Sequence, residues 1–147
     1  MLRRQTTDAT AARLTADNAA QGTLNTVNLP NNGTYLVRLM VLARQTGGAA
    51  GTLGDSAAWS FEALVTRGAN AAATAFVAGT AQTSAAALAG IVAGTGFAPS
   101  YNLAAAAAWR CTVAADTSNG GIAISGTGEA GKTINWVARV LSVEAAG

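Results

Sequence analysis

The segment Gly126-Thr127-Gly128-Glu129-Ala130-Gly131-Lys132-Thr133 fits the phosphate-loop pattern G-x-x-x-x-G-K-[ST], and its glycines also fit G-x-G-x-x-G. In a nucleotide-binding fold such a segment offers backbone N–H groups to phosphates, a lysine to neutralise them and a hydroxyl to hold Mg²⁺. It also needs a helix that begins at the lysine. Here the following residues alternate with period two, Ile134, Trp136, Ala138 and Val140 against Asn135, Val137, Arg139 and Leu141. That is a strand pattern. Only 14 positions follow Thr133, too few for a helix, further parallel strands and a downstream metal-binding carboxylate. The segment is therefore expected to be the tip of a hairpin, with no nucleotide cofactor.

Other chemistries have less to stand on. The chain has no His, which removes the commonest general base and the commonest zinc ligand. Ser84, Ser100 and Ser125 lack a base, and no G-x-S-x-G elbow is present. Asp8, Asp17, Asp55, Glu62, Asp116, Glu129 and Glu144 include no evident glycosidase-type pair, since most fall in turn segments where carboxylates cap or meet solvent. Cys111 is the only cysteine, so no intrachain disulfide or multi-cysteine metal cluster is available, and it reads as a small buried hydrophobe. No catalytic, cofactor-binding or metal-ligating residue is assigned. The expectation is a protein that is not an enzyme.

Composition points towards assembly. A length of 147 residues suits one domain, and 11% charged residues is less than half the usual quarter or so. Monomers draw solubility from surface charge, so self-association is expected. The 9 Lys+Arg against 7 Asp+Glu give a net charge of only +2, and the basic residues are scattered, which excludes a phosphate-tracking stripe and a nucleic-acid partner. Neither a secretory leader nor an uninterrupted apolar run of membrane-spanning length is visible, so no membrane partner is expected.

The elements read as strands between Gly, Asn and Asp clusters. Thr23 to Leu29 is a first strand, and Pro30 to Gly33 is a turn signal. In Thr34 to Arg44, Tyr35, Val37, Leu39, Val41 and Ala43 share one face, while Leu36, Met40 and Leu42 share the other with Arg38 and Arg44. Two partly apolar faces suit a central strand or a subunit contact. Trp59 to Arg67 and Trp109 to Asp116 alternate as half-buried strands, and Gly121 to Ser125 with Ile134 to Glu144 read as a closing hairpin. Between Ala69 and Ala108 the alanines favour helix and the glycines oppose it, so Ser84 to Val92 is either a short helix or a short strand with long loops. The sum is all-β, a single jelly-roll-like β-sandwich over residues 18–147. With so much Ala elsewhere, Trp59, Trp109 and Trp136 are its expected core anchors.

Residues 1–17 are expected to form a polar N-terminal arm outside the sandwich, reaching a neighbouring subunit or a particle surface. Arg3, Arg4 and Arg13 are the candidate partner contacts of that arm. Leu36, Met40 and Leu42 are the candidate oligomer or capsid contacts of the two-faced strand.

The order of several short landmarks resembles small β-domains of tailed-bacteriophage structural proteins. They are Arg4-Gln5-Thr6-Thr7-Asp8-Ala9-Thr10 followed by Leu14-Thr15-Ala16-Asp17, then Leu29-Pro30-Asn31-Asn32 and Ala43-Arg44-Gln45. Trp59-Ser60-Phe61-Glu62 with Arg67-Gly68-Ala69-Asn70 comes next, then Ala114-Ala115-Asp116-Thr117 with Asn119-Gly120, and finally Ile134-Asn135-Trp136-Val137-Ala138. The chain departs from the resemblance in its Ala/Gly-rich insert between Val77 and Ala108. The resemblance implies a non-enzymatic virion component. Its first form is a head decoration or cement protein, a symmetric homo-oligomer, expected as a trimer, bound to the major capsid protein or another virion protein. Its alternatives are a tail-fibre or spike module that binds a receptor, and a neck or tail adaptor. Length favours decoration, because 147 residues from Met1 leave no room for a fibre shaft or a separate attachment domain.

Overall fold

The structure, a computed structural model, describes residues 1–80, 82–83, 101–102 and 108–146. Ser84 to Val92, where the sequence leaves helix and strand open, lies outside the described residues. The described chain is all-β: β1 (Leu2–Thr6), β2 (Ala11–Arg13), β3 (Val27–Asn28), β4 (Gly33–Gly48), β5 (Ser56–Arg67), β6 (Thr74–Phe76), β7 (Gln82–Thr83), β8 (Tyr101–Asn102), β9 (Arg110–Asp116), β10 (Gly121–Thr127) and β11 (Lys132–Ala146). One 3₁₀ turn, Ala71–Ala73, precedes β6, and the Asn70 side chain accepts from the Ala73 N–H at its start.

Two antiparallel sheets form a β-sandwich. The larger has seven strands in the order β1-β11-β4-β5-β6, with β7 and β8 also paired to β5. The smaller is built on β10, which pairs with β9 along one edge and with β2 and β3 along the other. Strict alternation drives this arrangement. Along β4, Tyr35, Val37, Leu39, Val41 and Ala43 are buried while every residue between them is exposed. Ala57, Trp59, Phe61, Ala63 and Val65 of β5 and Ile134, Trp136 and Ala138 of β11 join the same inner face. Cys111, Val113, Ile122 and Ile124 meet them from the smaller sheet.

The three tryptophans form the centre of this layer. Trp59 and Trp136 stack with ring centroids 5.2 Å apart, and Trp109 tilts against Trp136 at 6.2 Å. Trp136 Nε1–H donates to Thr6 Oγ1 at 2.9 Å, which satisfies a buried donor that would otherwise cost stability. Gly126 of β10 lies directly over this indole, and a Cβ there would collide with the Trp136 ring. At this point the two sheets meet as a tryptophan against a glycine.

Three sequence expectations need correction. First, residues 1–17 are not an arm outside the sandwich. Leu2 to Thr6 pair with Ala138 to Ile134 of β11, and Arg3 and Thr15 exchange backbone hydrogen bonds of 2.8 and 3.1 Å. Leu2, Thr6, Leu14 and Thr15 are buried, so the segment covers part of one edge of each sheet. The reason is ordinary alternation: Leu2 and Thr6 face inward and Arg3 and Gln5 outward, a strand whose polar face dominates its composition. Secondly, β10 and β11 are not a hairpin pair, because β10 belongs to the smaller sheet and β11 to the larger, and the intervening loop crosses between them. Period two shows which residues share a face and is silent on which sheet a strand joins. Thirdly, the strand expected over Thr23 to Leu29 is confined to Val27–Asn28.

Candidate functional site: the outer face of the seven-stranded sheet

The outer face of the larger sheet can be built row by row from its register. Leu36 of β4 lies between Leu64 of β5 and Val143 of β11, and Arg38 lies between Glu62 and Leu141. Met40 lies between Ser60 and Arg139, and Leu42 between Ala58 and Val137. Leu36, Met40, Leu42, Val137, Leu141 and Val143 are between 38% and 70% exposed. Leu42 is six positions along β4 from Leu36, so the aliphatic stripe runs about 20 Å along the strands. A shallow depression between Met40, Leu42, Ala58, Val137 and Arg139 lies at one end of it.

β-Branched and aliphatic residues fit a pleated surface well whether or not that surface is covered, so strand formation alone does not select against this composition. Solubility does. Contiguous exposed apolar side chains on a folded domain mark contact surfaces more often than chance positions do. Arg38, Arg44 and Arg139 are interleaved with the stripe and exposed, and arginine with aliphatic neighbours is a composition that protein interfaces enrich. Glu62, half-buried beside Arg38, is the carboxylate of these rows.

The candidate contacts read from sequence thus divide into two groups. Leu36, Met40 and Leu42 are together on the outer face. Arg3, Arg4 and Arg13 are used within the chain. Arg4 Nη1 donates to the carbonyls of Asn18 at 2.7 Å and Ala19 at 3.3 Å, and Arg3 Nε donates to the Ala16 carbonyl at 3.4 Å. Arg13, half-buried on β2, adds its charge to the field at Asp116. Sequence reasoning missed Val137, Leu141 and Val143, although the alternation of β11 places them opposite its inward Trp136 and Ala138. The signal was present: β11, like β4, is apolar at both parities.

The phosphate-loop lookalike has a structural explanation residue by residue. Gly126 admits the Trp136 ring, and a Cβ at Gly128 would lie 2.6 Å from Thr6 Oγ1 and 2.9 Å from the Asp8 carbonyl oxygen. Gly131 has φ +75°, a left-handed turn that glycine adopts at low cost. Lys132 is buried and its Nζ meets Glu129 Oε2 at 2.7 Å. Thr133 continues into β11, so the strand–loop–helix geometry that cradles phosphate is replaced by strand–loop–strand.

The remaining polar groups support turns. Asp116 Oδ1 accepts from the backbone N–H groups of Ser118 and Asn119 at 3.2 and 3.0 Å, and Oδ2 accepts from Asn119 Nδ2 at 2.9 Å and from Gln21 Nε2. Burial opposes ionisation of this carboxyl, but the Asn119 and Ser118 hydrogen bonds and Arg13 outweigh it and hold its pKa below the usual 3.8. Burial pushes the Cys111 thiol up to about 12, which leaves it protonated and chemically quiet. Among the described residues no group of three or more His, Cys, Asp or Glu is arranged to hold a metal ion. Comparison with known proteins finds no matching family model, curated protein or solved structure.

Proposed function

We propose that this chain is a non-enzymatic structural protein of a bacteriophage virion. In this reading it is a capsid decoration or cement protein, a symmetric homo-oligomer that docks on the major capsid protein through the outer face of its larger sheet. The observation that carries the reading is the stripe of Leu36, Met40, Leu42, Val137, Leu141 and Val143, exposed in contiguous register on a rigid sheet. A rigid scaffold suits such a role, because little conformational entropy is lost when a preformed strand face is covered. The virion assignment is supported by the ordered sequence landmarks, and its site of action is the assembled particle.

The tryptophans lend no support to receptor binding, since Trp59, Trp109 and Trp136 all point into the core. Counting copies in purified particles from cells that make this chain tests the reading. A cement protein occurs on the order of hundreds of times per particle, following the symmetry of the shell. A count of three, six or a small multiple would move the chain to a fibre, neck or tail adaptor, and absence from particles would end the virion reading.

A further inference from the structure

Among the described residues, the larger sheet has an uncovered stretch of edge. β1 pairs with β11 only as far as Leu2 opposite Ala138, whereas β4 continues along the other side of β11 to Ala146. Among the described residues, Arg139 to Ala146 therefore have a strand partner on one side only. An open edge of this length presents a row of backbone donors and acceptors that another strand can satisfy. β7 and β8, which flank the undescribed stretch 84–100, both pair with β5 on the far side of β4.

We propose that two copies of this chain join edge to edge, β11 against β11 in antiparallel register, about a two-fold axis at Ser142. The register follows from the side chains. With Ser142 on the axis, Leu141 meets the partner's Val143 twice on the outer face, and Arg139 meets the partner's Ala145. An axis at Val143 would set Leu141 against Ala145 and Ser142 against Glu144, pairing fewer aliphatics. An axis at Leu141 would set Glu144 and Ala145 against Ala138 and Val137, which Leu2 and Arg3 already occupy, whereas an axis at Ser142 brings only the terminal Ala146 up to Ala138.

Arg139 projects from the outer face and Glu144 from the inner one, so neither charge meets the other across the axis. Glu144 is already engaged, accepting from the Tyr35 hydroxyl at 3.1 Å, so its inward-facing charge is held within its own chain. Joining the sheets also continues the outer stripe from Leu36, Val143 and Leu141 of one copy into the same residues of the other. The contact is isologous and gives a dimer as its unit, in place of the trimer expected from the resemblance. It rests on the β11 edge and is independent of what the outer face binds.

Sedimentation of the full chain and thiol cross-linking test this. Directly paired Ser142 residues would place their Cα atoms about 4.5–5.5 Å apart, within disulfide range. With oxidised glutathione as the disulfide oxidant, S142C should give a covalent dimer that reductant separates, forming about tenfold or more faster than with S118C, which places a thiol in the exposed β9–β10 turn. Buried Cys111 does not compete. L141K/V143K sets lysine against lysine across the axis and should weaken association about tenfold or more, while L141K/V143E sets lysine against glutamate and should restore it. Both positions are exposed, so both variants keep the fold. A chain that stays monomeric at about 100 µM overturns the proposal. So does an oligomer, trimers included, in which S142C links no faster than S118C, or in which L141K/V143E associates no better than L141K/V143K.

Discussion

The two faces of β4 carry much the same kind of side chain and meet opposite fates. Inward, Val37, Leu39 and Val41 are at most 3% exposed; outward, Leu36, Met40 and Leu42 are at least 42% exposed. The inner set is covered by the smaller sheet and its burial drives folding, at about 25 cal/mol for each Å² removed from water. The outer set still has about half of its apolar surface in water, and the transfer free energy of that part remains available. That difference separates what the fold requires from what remains for a partner. β11 repeats the lesson along its length: its first half is enclosed by β1, β4 and the smaller sheet, and its last residues, Leu141 to Ala146, are exposed at both parities.

Substitutions that break the comparison should fall in a definite order. Trp136→Ala removes the ring that touches Trp59, Trp109 and the surface of Gly126, and should cost about 3–5 kcal/mol in denaturant unfolding. Leu39→Ala, on the inner face, should cost about 2–5 kcal/mol by the same measurement. Gly126→Ala should cost about 1–3 kcal/mol, because the added methyl meets the indole and the sheets must part. Thr6→Val leaves the Trp136 N–H buried without its acceptor and should cost about 1–3 kcal/mol. Asp116 contributes in a pH-dependent way. Its folded pKa is lowered, so its stabilisation is present above 3.8 and is lost as pH falls through the folded value. Asp116→Asn should therefore flatten the acid limb of the stability curve in that window. Leu42→Ala, one strand position set from the core, should change stability by no more than about 0.5 kcal/mol.

Much of this fold is legible in the sequence wherever one face of a strand is buried. The alternations at Tyr35 to Ala43, Trp59 to Val65 and Ile134 to Ala138 identify β4, β5 and β11 and which residues face inward. What was hidden has physical reasons. β1 is short and its Arg3-Arg4 pair reads as a solvated arm, because nothing local reveals that Leu2 and Thr6 will meet Ala138 and Ile134 of β11, 136 and 128 positions away. The crossing from β10 to β11 depends on sheet packing through Gly126 and Trp136, a contact that no period can show. Of the candidate site, Leu36, Met40 and Leu42 were legible as a second apolar face, whereas the hydrogen bonds that Arg3 and Arg4 give to backbone carbonyls of residues 16–19 were not, because that loop's course is unseen in sequence.

In the proposed reading the outer face of the larger sheet serves a partner and not the fold. Leu36→Thr, Met40→Thr and Leu42→Thr together test it, since threonine keeps β propensity while removing the aliphatic surface. The triple variant should melt within a few degrees of the parent chain and lose attachment to purified particles by about tenfold or more in co-sedimentation. A triple variant that binds particles with undiminished affinity, or one that unfolds, would contradict the claim.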